Sequence, residues 1–180
     1  NLEEIRKSVG TPGLCGVKIF LGSSTGSLLL EDQNVIEKLF EEIPLPFAIH
    51  SEDEQILKRN KKNLPEKPAV SMHCDWRSPE SAISATKKIL SIAKKTKRKI
   101  HILHISTKEE IELLKDNKEF STFEITPQHL YLHAPDCYEQ LGSLAQMNPP
   151  IRETHHQAAL WEALQNDWVD IIGSDHAPHT

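Results

Sequence analysis

The chain has 180 residues, enough for one domain with a real core. Hydrophobic residues at 38% and charged residues at 26% fit a soluble globular protein and argue against disorder. A formal charge of -5 and a pI near 6.1 give no electrostatic reason to expect nucleic acid or an anionic membrane as partner, and no apolar run approaches the ~20 residues that a membrane helix needs.

The opening residues, Asn1-Leu2-Glu3-Glu4-Ile5-Arg6-Lys7, form a charged helical pattern and not a signal peptide. No initiator Met precedes them, so the expectation is a start inside a longer polypeptide or after processing. Cys15-Gly16-Val17-Lys18-Ile19-Phe20-Leu21 reads as a short apolar strand interrupted by a lysine. Gly22 to Gly26 follows as a flexible loop. Asp32 caps a helix with Val35, Ile36, Leu39 and Phe40 on one face. Pro46 to His50 is the next strand, and Glu54 to Asn60 starts another helical pattern. Lys61 to Pro68 is a surface loop.

Ser78 caps a long helix with Pro79 in its first turn and a stripe of Ala82, Ile83, Ala85, Ile89, Leu90 and Ala93. Lys99 to Ile105 is a strand. Thr107-x-x-Glu110 is a capping box that opens a further helix. Thr122 to Thr126 is a strand, and Thr154-x-x-Gln157 is expected to cap a helix bearing Leu160 and Leu164. Val169 to Gly173 is the last strand, leading into Ser174-Asp175-His176. Strands alternating with helices predict an α/β fold with a parallel sheet. Periodicity alone does not choose between a closed eight-stranded barrel and an open doubly wound sheet.

Three scattered cysteines, Cys15, Cys74 and Cys137, read as reduced thiols of a cytoplasmic protein. The ten histidines are more telling. Four strands carry, at or near their ends, a residue able to bind a hard or borderline cation: Lys18, His50, His104 and Asp175. In a barrel such ends converge on one mouth. Taken singly, a strand-end His has an ordinary structural explanation, as does an Asp that caps a loop. Two His and an Asp on separate strands of one sheet suit zinc and similar ions. His101 and His104 are three apart, so alternation puts them on opposite faces, with Ile102 and Ser106 sharing the face of His104.

Lys18 has two readings. Pointing inward, its charge is costly unless removed or paired, and a neutral amine can take up carbon dioxide to form a bridging carbamate. Pointing outward, it simply snorkels. Asn148, in the rigid Asn148-Pro149-Pro150-Ile151-Arg152 loop, is placed to offer an amide to a ligand. His73, His129 and His133 read as loop or structural histidines, Trp76, Trp161 and Trp168 as packing, and His155 and His156 carry no assigned role.

Six segments in order resemble dihydroorotases of the cyclic amidohydrolase superfamily. They are Gly16 to Gly22, Ile49 to Asp53, His101 to Thr107, Ile125 to Leu130, Met147 to Arg152, and the ending Gly173-Ser174-Asp175-His176-Ala177-Pro178-His179-Thr180. The Asp-His-Ala-Pro-His-Thr ending leans toward dihydroorotase over allantoinase and dihydropyrimidinase. The resemblance implies a partial (β/α)8 TIM-type barrel, approximately strands 4 to 8, with residues 1–180 forming part of one metallohydrolase domain. It implies two Zn2+ per full-length chain, bridged by carboxylated Lys18. His50 and His104 would hold the more exposed metal. Asp175 would bind the other and act as general acid and base. Asn148, Ala177 and His179 would contact the substrate.

One departure stands out. The family's first strand carries a His-x-His motif followed by Arg, and this chain has no His-x-His. The first three strands and a C-terminal segment are therefore expected to lie outside it. The partner expected is a small-molecule substrate; a homo-oligomer is compatible with the sequence without being required by it. Two readings remain: a dihydroorotase segment, inactive alone, and a non-catalytic dihydroorotase-like module.

Overall fold

The computed structural model describes residues 2–22 and 28–176. Most of the loop expected at 22–26 thus falls outside the described residues. In chain order the elements are α1 (Leu2–Ser8), β1 (Val17–Phe20), α2 (Gln33–Glu42), β2 (Phe47–His50), α3 (Glu54–Lys62), α4 (His73–Trp76) and α5 (Pro79–Thr96). They continue as β3 (Ile100–Ile102), α6 (Lys108–Lys115), β4 (Ser121–Ile125), α7 (Pro127–Tyr131), α8 (Asp136–Leu141), α9 (Thr154–Gln165) and β5 (Ile171–Ile172).

The strands form one parallel sheet in the order β1-β2-β3-β4-β5. A doubly wound sheet reverses its strand order at a switch point and covers both faces with helices. Here the order never reverses, which is the winding of a barrel. The register assigns the two faces. Val17, Ile19, Phe47, Ile49, Ile100, Ile102, Phe123 and Ile125 share one face. Seven of these eight, all but Val17, are buried in one cluster with Ile36, Leu39 and Phe40 of α2, Ile89 and Ile92 of α5, Leu114 of α6 and Leu160 of α9. Each such side chain withdrawn from water is worth roughly 1.5–3 kcal/mol.

The other face carries Lys18, Phe20, Ala48, His50, His101, Thr122, Glu124 and Ile171. It is the more open one: Lys18 and Ile171 are exposed, and Ala48, His101 and Thr122 are half-buried. Polar and charged groups are therefore gathered on the side away from the helices.

Local sequence explains the helix starts. Asp32 Oδ1 accepts hydrogen bonds from the backbone N–H groups of Asn34 (2.9 Å) and Val35 (3.4 Å), satisfying two donors that the helix leaves free. Thr107 Oγ1 accepts from the N–H of Glu110 (3.2 Å) and pairs with Glu110 Oε2 at 2.8 Å, which fixes the first turn of α6. Helix α9 differs from the reading above. Its N-cap is Glu153, without a side-chain cap bond, and Thr154 is the first helical residue. Gln157 turns away from the helix start and donates through Nε2 to the carbonyls of Leu130 (3.1 Å) and Leu132 (3.2 Å). A tertiary contact takes the side chain that a capping box would have used.

No described helix is long and apolar enough to cross a membrane.

Candidate active site

β2 delivers His50 to the C-terminal end of the sheet, where it is 4% exposed. Its Nδ1 lies 3.0 Å from Nε2 of His104, which is 2% exposed, and the two rings meet nearly edge to face. The other nitrogen of His50, Nε2, lies 2.8 Å from Oε2 of Glu52. Glu52 is fully buried and forms an ion pair with the equally buried Arg77. Burial by itself pushes the Glu52 carboxyl up, but the His50 hydrogen bond and the Arg77 charge outweigh it and hold it below the ordinary carboxylate value. Burial, then the neighbouring His50, His129 and Lys18, holds His104 well below the ordinary imidazole value, so it is neutral and able to donate a lone pair.

His104 reaches this position by a route that alternation misses. β3 ends at Ile102, which faces the helices. His101, not Ile102, shares the open face with His50. His104 then adopts a left-handed backbone with φ of 38°, a conformation costing a non-glycine residue about 1–2 kcal/mol, and swings back toward His50. Glu124 supports the bend: its Oε1 accepts from the His104 N–H at 3.3 Å, and its Oε2 lies 3.4 Å from Nε2 of His101. His101 Nδ1 is also 2.8 Å from Thr122 Oγ1.

Lys18 sits on the same open face, two residues before Phe20 of the Phe20–His50 pair. Its Nζ is 4.8 Å from the Phe20 ring centroid, and that ring is 5.5 Å from the His50 ring. The lysine is exposed and points to the face away from the helices. It therefore does not snorkel past the helices, and it lies on the face that carries His50.

The loop with Asn148 is tied to the same centre. His73 Nε2 lies 3.0 Å from the Met147 carbonyl and 3.1 Å from Asn148 Oδ1; both are acceptors, so this nitrogen carries the hydrogen. His129 Nε2 donates to the Pro149 and Pro150 carbonyls at 3.1 and 3.2 Å, while its Nδ1 pairs with Thr126 Oγ1 at 2.8 Å. His129 is thus a buried structural histidine. Arg152, 3% exposed, donates to the Arg77 carbonyl and to Ser106 Oγ.

Asp175 is exposed with φ of 47°. Gln128 Nε2 holds the turn before it by donating to the Ser174 carbonyl at 3.0 Å. The described residues bring His50 and His104 together but contain no group of three or more His, Cys, Asp or Glu able to hold a metal. Ala177 and His179 lie outside the described residues. Glu52, Arg77 and Glu124 escape sequence reasoning. The available signal was the charge beside each strand end, at Glu52 two residues past His50 and at Glu124 late in its strand.

The pair fits a metal on chemical grounds. Two nitrogens on one tetrahedral zinc, each at ~2.0–2.1 Å, stand about 3.3 Å apart. His50 Nδ1 and His104 Nε2 are already close to that spacing at 3.0 Å. A carboxylate on the far nitrogen of a ligand histidine is the usual supporting partner.

No family model matches the chain. Over 164 residues, 91% of its length, it is 38% identical to the dihydroorotase of Pyrococcus abyssi and 37% identical to that of Thermococcus kodakarensis. It is 30% identical to the dihydroorotase of Methanosarcina acetivorans, with 99% of the chain covered. The chain spans only 35–40% of the length of these relatives. Among solved structures, the L-hydantoinase (dihydropyrimidinase) of Arthrobacter aurescens superposes with a TM-score of 0.89 at 24% identity, covering 97% of this chain and 40% of that one. The D-hydantoinase of Bacillus sp. AR9 gives 0.87 at 25% identity, covering 99% and 41%.

Proposed function

We propose, from this kinship with a stretch of the dihydroorotases, that the chain is strands four to eight of a dihydroorotase barrel. The whole polypeptide would be a cytoplasmic, zinc-dependent enzyme of pyrimidine biosynthesis. It would open the ring amide of dihydroorotate to N-carbamoyl-L-aspartate and close it in reverse. The first three strands and a C-terminal segment belong, in this reading, to the rest of the polypeptide. The observation that carries the reading is the His50–His104 pair, buried at neighbouring strand ends with its nitrogens 3.0 Å apart.

His50 Nδ1 and His104 Nε2 would hold one zinc. Lys18, carboxylated, would bridge to a second zinc that Asp175 also binds. The place of Lys18 supports this, on the sheet face that carries His50 and beside the Phe20 ring that packs against the His50 ring. Bound zinc ions supply Lewis acidity, making water a nucleophile at neutral pH and polarising the amide carbonyl. Asp175 takes the proton of the attacking water and returns it to the ring nitrogen as the C–N bond breaks. Asn148, Ala177 and His179 contact the substrate. The His73 hydrogen bond occupies the Asn148 carbonyl oxygen, which leaves its NH2 to meet an acceptor on the ligand.

The test is to purify the full-length polypeptide with zinc supplied, measure its metal content, and assay dihydroorotate, dihydrouracil and hydantoin side by side. Up to two zinc ions per chain and preferential turnover of dihydroorotate are expected. Preference for dihydrouracil or hydantoin would move the enzyme to the activity named for its structural neighbours. Absence of both metal and turnover would make it a non-catalytic module.

A further inference from the structure

The Glu52–Arg77 pair is poorly explained as a device for stability. Both side chains are buried, at 0% and 1% exposure. Yet Glu52 Oε1 and Arg77 Nε have no hydrogen-bond partner among the described residues. A buried ion pair with unsatisfied atoms does not generally offset its own desolvation, and apolar replacements are often as stable. What the pair does have is a direct hold on one histidine. Glu52 Oε2 lies 2.8 Å from His50 Nε2, and Arg77 supplies the opposite charge to that same carboxylate oxygen.

An ionised carboxylate is an acceptor only. The contact therefore places the hydrogen of a neutral His50 on Nε2 and leaves Nδ1 as a bare lone pair. Nδ1 is the atom that faces His104 Nε2 at 3.0 Å. With the opposite tautomer of His50, its Nδ1 hydrogen would point into the space between the rings and block a shared cation.

We infer that Glu52, held by Arg77, is a positioning residue that fixes the tautomer and ring orientation of His50 so that Nδ1 is presented as a ligand. The inference rests on the metal-site reading of His50 and His104 given above. Arg77 extends the support, because its carbonyl accepts from Arg152 at the end of the loop bearing Asn148. The histidine pair and that loop are thus registered on one buried side chain and its backbone.

The experiment uses the full-length protein and zinc as the probe, with affinity measured by chelator competition. Glu52→Leu combined with Arg77→Leu removes the acceptor without leaving an orphan charge. It is expected to weaken zinc binding about 10–100-fold, the usual cost of losing such a supporting partner. Glu52→Gln combined with Arg77→Leu restores a neutral acceptor of the same length and is expected to recover part of the loss. A Leu/Leu variant that melts like the parent and binds zinc within about threefold of it would overturn the inference. Nitrogen-15 spectra of the His50 ring in metal-free parent protein provide a test that needs no variant. An Nε2–H tautomer is expected, and an Nδ1–H tautomer would overturn the assignment even if the variants do not fold. Parent protein that shows the Nε2–H tautomer but takes up no zinc would sink the metal reading and leave the positioning of His50 standing, so the two failures are distinct.

Discussion

Gly22 lies against the backbone of Glu52. A Cβ at position 22 would sit 2.9 Å from the Glu52 carbonyl carbon, closer still to its oxygen, and 3.2 Å from the Glu54 nitrogen. The end of β1 and the segment leaving β2 touch here with no room for a side chain, two residues beyond His50. At Gly173 the obstacle is different: a Cβ would meet Glu124 Oε2 at 2.6 Å, the far end of a side chain that can turn aside. Gly22→Ala is therefore expected to cost about 1–3 kcal/mol of stability, the range for overpacking, and to weaken zinc binding by shifting Glu52. Gly173→Ala should cost less. Urea unfolding of both variants checks the order, and equal midpoints for Gly22→Ala and the parent would show that the Glu52 backbone is not rigid.

Stability should fall with acid through His129. Burial, followed by the charge of Arg152, lowers its pKa from 6.5 to about 4. The unfolded chain therefore binds a proton that the folded chain refuses between those two values. The contribution is complete above pH 6.5, is lost as pH falls toward 4, and levels off below. It amounts to about 3 kcal/mol for this one group. His129→Gln should be less stable than the parent at pH 7.5 and should lose less on going to pH 4.5. Parallel denaturation curves for the two proteins across this range would remove His129 as the cause.

Much of this architecture is legible in sequence because its causes are local. Asp32 and Thr107 sit next to the donors they satisfy, and the apolar run Phe47-Ala48-Ile49 is complete within β2. His50 can be picked out because it ends an apolar run, and His104 because it comes late in its predicted strand. Other features depend on contacts that spacing does not encode. Glu52 gains its role from Arg77, 25 residues away, and from the ring orientation of His50. The face of His104 is set by a left-handed backbone that no residue type at that position announces. Exposure of Lys18 reflects what does or does not cover the open face of the sheet, which strand periodicity alone cannot say.

Lys18 separates stability from function. Being exposed, it can be removed with little effect on folding: Lys18→Ala should stay within about 0.5 kcal/mol of the parent. In the full-length enzyme the same change should abolish activity and the bridging metal together. Short carboxylic acids added to the variant should restore part of the turnover, by lending an anion where the carbamate stood. Normal zinc content and turnover in Lys18→Ala would exclude the bridging role.

For Asp175, a proton shuttle and a metal ligand are lost in one substitution. General acid–base catalysis alone is typically worth about 10²–10⁴-fold, so Asp175→Asn in the full-length enzyme should lose at least that much kcat. Its exposure predicts an unchanged fold by circular dichroism. A folded variant turning over within about threefold of the parent would remove Asp175 from the mechanism.

The 180 residues alone should not hydrolyse dihydroorotate. The described residues place two histidines together and contain no group of three or more His, Cys, Asp or Glu able to hold a metal. Asp175, expected to complete the second site, is exposed rather than gathered in. The sheet face that carries Lys18 and His101 stands open, and at the far edge Ile171 and Ile172 of β5 are 49% and 55% exposed. Exposed apolar edge strands invite association. A substrate held there would be surrounded by solvent on one side, and neither orientation nor carbonyl polarisation would be strong. Adding the missing part of the polypeptide as a separate piece should close the sheet and restore activity. The measurement is dihydroorotate turnover on material whose mass is verified, with zinc and bicarbonate supplied, before and after that addition. Turnover by the 180-residue chain above a chelator-treated control would mean that the centre around His50 and His104 is sufficient by itself, and the two-metal assignment would have to be abandoned.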